Sequence, residues 1–136
     1  MTSFLHRDVL LAGPENALRC RGAMVRREFP TGTGRRCGRI DLVAKVHSYC
    51  LAIEVELTAH RVANDVNKAV AIGADELWII APNRRVAAAL RRKLNRLQLG
   101  PATPPVSILL LGQVAKRVNE LTAFSFPDVT PGENKC

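Results

Sequence analysis

The chain has 136 residues, enough for one domain with a single core and too few for two of ordinary size. Hydrophobic residues make up 47% and charged residues 24%, a globular balance rather than that of a disordered chain. Twenty Lys and Arg against twelve Asp and Glu leave a net charge of +8, which favours polyanionic partners such as nucleic acid, and no run reaches the roughly 18 apolar residues of a membrane span.

The opening "MTSFLHRDVLLAG" has its apolar patch broken by His6, Arg7 and Asp8, so it reads poorly as a signal peptide and a cytoplasmic location is expected. Pro14 and Glu15 predict the first turn of a short helix over residues 14–21, with Gly22 as its stop. "AMVRREF" alternates and predicts a strand, followed by the loop "PTGTGRRCG". In "RIDLVAKV", Ile40, Leu42 and Ala44 are expected on one face of a second strand, with Arg39, Asp41, Val43 and Lys45 on the other. After the short "HSY" connection, "CLAIEVELT" predicts a third strand. A hairpin so formed sets Asp41 near Glu54 if the register brings their faces together.

Residues 59–74 space Val62, Val66, Ala69 and Val70 as a helix, with Arg61, Asn64, Asp65 and Lys68 around the opposite side, Thr58 as the cap and Gly73 as the end. "DELWIIAP" is a nearly unbroken apolar run, the pattern of a buried inner strand, and Trp78 within it is expected in the core. Asn83 predicts the start of a helix whose stripe is Val86, Leu90, Leu94 and Leu97. "VSILLLG" then predicts another strand and "QVAKRVNELTAF" a last helix. The tail over residues 127–136 is Pro, Gly and polar, and disorder is expected beyond a domain of residues 1–126. The fold class expected is α/β: a single domain with a mixed central sheet flanked by helices.

Chemistry concentrates in "IEVELT". A strand alternates its side chains, so Glu54 and Glu56 share a face opposite Ile53, Val55 and Leu57, and Asp41 joins them from the neighbouring strand. Ionised carboxylates side by side repel, which calls for a cation: Lys, Arg or a divalent metal. Hard oxygen donors suit Mg²⁺ or Mn²⁺ better than Zn²⁺, and a dication against a basic surface suits phosphodiester chemistry. The plainer reading pairs Asp41 with Arg39 or Lys45 and leaves the glutamates as ordinary surface charge. Cys20, Cys37, Cys50 and Cys136 form no C-x-x-C pair and are expected to be reduced thiols. The "TGTGRRCGR" loop lacks the G-K-[ST] ending of a phosphate-binding P-loop.

The order "PENALRCRG", "GRIDLVA", twelve intervening residues between Asp41 and Glu54, "IEVELT", a helix and "GADELWIIAPN" resembles the PD-(D/E)XK superfamily, the restriction-endonuclease-like nucleases that include Holliday-junction resolvases. The resemblance covers about residues 14–97 and rests on element order more than on its short motif. It implies an αβββαβ core and a Mg²⁺- or Mn²⁺-dependent endonuclease acting on DNA, duplex or branched, as a homodimer if both strands are cut. Asp41 and Glu54 then bind the metal, with the Val55 carbonyl as a backbone ligand. Glu56 stands where the family usually has Lys; it becomes a general base or a further metal ligand, while Lys68 on the following helix replaces the missing cation. Glu15 resembles an acid that some members bring to the metal. Arg35, Arg36 and Arg39 would flank the site, and Arg84 and Arg85, where the helix dipole disfavours cations, would touch the nucleic-acid backbone. Two alternatives stand beside this one: a catalytically inactive nucleic-acid-binding module of the same fold, and a small regulatory or scaffold protein whose acidic patch binds a basic partner.

Overall fold

The computed structural model describes residues 2–32 and 38–125, with side chains from Arg7 to Leu121 within those ranges. Arg35, Arg36, Cys37 and the tail expected to be disordered lie outside the described residues. Nine elements follow in chain order: α1 (Thr2–Cys20), β1 (Met24–Thr31), β2 (Gly38–Val46), β3 (Tyr49–Val55), α2 (Val62–Ala71), β4 (Glu76–Ala81), α3 (Arg84–Arg96), β5 (Val106–Leu110) and α4 (Leu111–Ser125). The strands form one mixed sheet in the order β1-β2-β3-β4-β5, an α/β domain of the expected class. β1, β2 and β3 meander antiparallel, whereas β3, β4 and β5 run parallel because α2 and α3 carry the chain back between them.

Helices cover both faces, which is why β4 is buried along its whole length. On one side Leu10, Leu11 and Leu18 of α1 and Val114, Val118 and Leu121 of α4 pack on Leu42, Ala44, Leu51, Ile53, Val55, Trp78 and Ile80. On the other, Val62, Val66 and Ala69 of α2 and Ala87 and Leu90 of α3 pack on Val43, Ala52, Leu77, Ile79 and Ile108. Trp78 is fully buried, as expected.

Three local expectations are corrected. The first helix begins far ahead of Pro14, which lies inside it. An internal proline costs a helix roughly 3 kcal/mol; here residues on both sides of it are held, Leu10, Leu11 and Leu18 by burial and Asp8 and Glu15 by ion pairs with Arg27 of β1. Second, Ile40 does not share a face with Leu42. Ile40 and Val43 both pack on the α2–α3 side, so the alternation of β2 resets at Asp41, opposite Glu28 with its left-handed backbone (φ 52°). Third, α2 starts at Val62 after Arg61, which makes no side-chain cap bond; Thr58 instead accepts the His60 N–H in the preceding turn. Asn83 caps α3 as expected, accepting from the Val86 N–H at 2.9 Å. The thiols divide: Cys50 is free and buried, whereas Cys20 is disulfide-bonded, because spacing along the chain does not limit which cysteines a fold brings together.

A candidate acidic site at the carboxyl end of the parallel strands

β2 and β3 pair from Val46↔Tyr49 to Leu42↔Ile53, and the ladder ends one position before Asp41 and Glu54. There the two carboxylates brace the separating strands: the Asp41 N–H donates to Glu54 Oε1 at 3.0 Å and the Val55 N–H donates to Asp41 Oδ2 at 2.8 Å. The hairpin thus brings Asp41 to Glu54, and the reset of alternation in β2 is what turns Asp41 toward the strand end. Glu56 follows directly after β3 and is tied by its N–H to the Ile80 carbonyl at 3.1 Å. Glu54 and Glu56 are 2% and 4% exposed.

α2 supplies both further charge and its counter-charge. Lys68 Nζ makes an ion contact of 2.5 Å with Glu54 Oε2 and donates to the Arg39 carbonyl at 2.8 Å. It can reach there because Gly38 has no side chain: a Cβ at that position would meet Lys68 Cδ at 3.2 Å and Thr31 Oγ1 at 3.4 Å. One turn earlier on α2 is Asp65, which the helical pattern assigned to the outer face and which is 1% exposed. Lys68 Nζ is 3.7 Å from its Oδ1, and its Oδ2 has no hydrogen-bond donor among the described residues. Asp65 abuts Glu56, and a proton shared between them turns that contact into a hydrogen bond. Burial, the bond to Glu56 and the charges of Glu54 and Glu56 push the Asp65 carboxyl up to about 11, against the opposing pull of Lys68. Burial and then the charge of Asp41 push Glu54 up to about 7, with Lys68 and the Asp41 N–H working the other way.

α1 contributes Arg7, which carries no motif and was missed in the sequence. Its guanidinium lies 3.8 Å from Asp41 Oδ1 and 4.0 Å from Glu56 Oε1, over the mouth of the cluster. Glu15, the acid expected from this helix, is placed differently: it pairs with Arg19 at 3.0 Å and with Arg27 at 2.8 Å. Burial raises its carboxyl, and those two arginines outweigh it, leaving it below its usual value. Arg39, Arg61, Arg84 and Arg85 are exposed. The amino end of β2, the carboxyl ends of β3 and β4, and the starts of α2 and α3 all lie at one end of the sheet, so these four arginines share that end with the acids. It is the end at which open α/β sheets hold ligands.

Four carboxyl groups here share two cations, Lys68 and Arg7, and the Asp65 carboxyl keeps its proton. The donor set is all oxygen, the chemistry that suits Mg²⁺ or Mn²⁺. As the side chains stand, no group of three or more His, Cys, Asp or Glu among the described residues is gathered to hold a metal, because Lys68 and Arg7 already engage the carboxylates. Among the described residues no helix is long and apolar enough to cross a membrane. No protein-family model matches the chain, and no curated protein matches it.

Proposed function

We propose that the protein is a divalent-metal-dependent nuclease that hydrolyses DNA phosphodiester bonds, with the acidic site as its active centre and a PD-(D/E)XK-like ancestry. The observation that carries this reading is the buried pair Asp41–Glu54 on diverging strands, with Lys68 of the next helix on Glu54. Asp41 and Glu54, with Glu56 and the Val55 carbonyl, are the groups that would hold Mg²⁺ or Mn²⁺. The ion supplies charge neutralisation at the scissile phosphate and a water of lowered pKa. The chain's own residues do the rest. Lys68 keeps Glu54 oriented and balances its charge. Arg39, Arg84 and Arg85 supply phosphate contacts, which orient the nucleic acid without reading its bases. Such a protein acts in the cytoplasm, as a homodimer where both strands are cut.

The test is cleavage of supercoiled plasmid and of a four-way junction with Mg²⁺ or Mn²⁺, by wild type, Asp41→Asn and Glu54→Gln. Metal-dependent cutting that either substitution abolishes supports the reading, and the better substrate tells duplex from branched DNA. The second reading, a binding module without catalysis, is favoured by Arg7 and Lys68 already serving as counter-charges. Salt-sensitive DNA binding with no cutting by either metal would select it.

A further inference from the structure

Residues 77–119 contain no Asp or Glu, and the whole of α3 lies within that stretch. The inner side of the helix is Ala87 and Leu90, with Val86, Leu94 and Leu97 packed beside them against the sheet. Arg84, Arg85, Arg91, Arg92 and Arg96 are all exposed, and at about 100° per residue they fall within an arc of about 140° on the opposite side. Among the described residues none of the five pairs with an acid; Arg91 alone is engaged, donating from one nitrogen to the Ile108 carbonyl at 3.2 Å.

Stability does not account for this arc. Arg92 and Arg96 are like charges one turn apart, no acid on the helix relieves them, and Arg84 and Arg85 stand in the first turn, where the helix dipole adds to the cost. A polyanion supplies the missing partner. Anionic lipid is the weaker match, because no large apolar side chain along α3 is exposed and its cations are five arginines and one lysine, whose planar forks suit phosphate oxygens.

The arginines form two rows. Arg84 and Arg91 make one, and Arg85, Arg92 and Arg96 the other, about 110° around the helix axis, with the shorter Ala88 and Asn95 between them. A helix about 10–12 Å across matches the major groove of duplex DNA, about 12 Å wide and bordered by a phosphate backbone on either side. The rows start at the end of the sheet that holds the acids and run about 18 Å away from it, the length of about five base pairs.

Resting on the nucleic-acid part of the reading above and not on its metal, we propose that α3 is a duplex-binding helix: it lies along the major groove of DNA, and its two arginine rows hold the backbones on either side. The substrate is thereby a duplex, or a duplex arm of a branched molecule, reaching about five base pairs beyond the acidic site.

The experiment is metal-free binding of a duplex and of one of its own strands over a salt series, for wild type, Arg91→Gln/Arg92→Gln and Arg91→Lys/Arg92→Lys. These side chains are exposed, so the melting temperature should stay near that of wild type. On the duplex the glutamine variant, which takes one arginine from each row, should lose about two units of salt slope, while the lysine variant keeps the wild-type slope. A single strand has one backbone and no groove, so there the loss should be about one unit or less. An unchanged slope on the duplex in the glutamine variant overturns the proposal. Equal losses on duplex and single strand overturn the groove fit, and equal losses in the lysine and glutamine variants overturn the charge contact. Binding to phosphatidylserine vesicles that the glutamine variant loses, with its slope on DNA unchanged, overturns the proposal in favour of a membrane. The expected loss of slope in a protein that cuts with neither Mg²⁺ nor Mn²⁺ removes the nuclease reading and leaves the duplex-binding helix standing.

Discussion

Glu76 and Glu54 are buried carboxylates on neighbouring strands, and the fold treats them oppositely. Glu76, at the start of β4, accepts from the Tyr49 hydroxyl at 2.5 Å and from Arg117 at 2.9 Å, and also from the Trp78 indole N–H. Three donors meet one acid, a satisfied structural site. At the other end of the sheet, Glu54 belongs to a cluster of four acids with two cations, where burial and mutual repulsion keep protons on the carboxyls. Packing alone gives no reason to gather Asp41, Glu54, Glu56 and Asp65, and perturbed carboxyls gathered at one end of a sheet are the mark of a functional site.

The sharpest way to break this contrast is to remove charge from each side. Asp41→Asn and Glu54→Gln should lower metal-dependent cutting by about 1,000-fold, whereas Glu76→Gln should leave the rate per folded molecule unchanged. Cutting rates at saturating Mg²⁺ would show it, and equal losses at both ends of the sheet would erase the distinction. Lys68→Ala strands Glu54 in a buried position and should cost about 3 kcal/mol, read by urea denaturation. Arg117→Ala, which leaves Glu76 its Tyr49 and Trp78 donors, should cost only about 1 kcal/mol.

Asp65 gives the contrast a pH signature. Its folded value of about 11 lies above the ordinary 3.8, and that of Glu54, about 7, above 4.5. The folded chain therefore keeps protons that the unfolded chain loses, so stability falls as pH rises through these windows, with the Glu54 share complete near neutrality and the Asp65 share continuing into the alkaline range. Asp65→Asn should flatten the fall between about pH 5 and 9 and make the variant the more stable protein at the alkaline end, as thermal melts across that range would reveal. A parallel pH profile in wild type and variant would rule out the buried proton. An effect as small as that of Arg117→Ala belongs to Gly38→Ala, where a methyl group presses on the stem of Lys68; about 1 kcal/mol of stability should be lost together with a weaker Lys68–Glu54 contact.

Much of this site was legible before the fold. The short link between "RIDLVAKV" and "CLAIEVELT" brought Asp41 near Glu54 with the register left open, and Lys68, set by the helical pattern on the outer side with Asp65, was marked only by the family resemblance. Asp65 was misassigned because the apolar stripe of α2 marks the face that meets the sheet's middle but not what lies past the sheet's end, where α2 faces acids instead of leucines. Arg7 was invisible because no pattern in α1 reveals that the helix runs through Pro14 to the mouth of the cluster.

The sequence by itself determined the α/β class, the order of strands and helices and the inner strand β4, because these follow from periodicity and short connections within neighbouring elements. Only the tertiary structure decided that Ile40 turns to the α2 side, that Asp65 is buried, that Glu15 pairs with Arg19 and Arg27, and that Arg7 stands over the acids. Each of those depends on which distant element covers a given face. Alternation along one strand or helix carries no such information, and a single irregular residue such as Asp41 in β2 resets it.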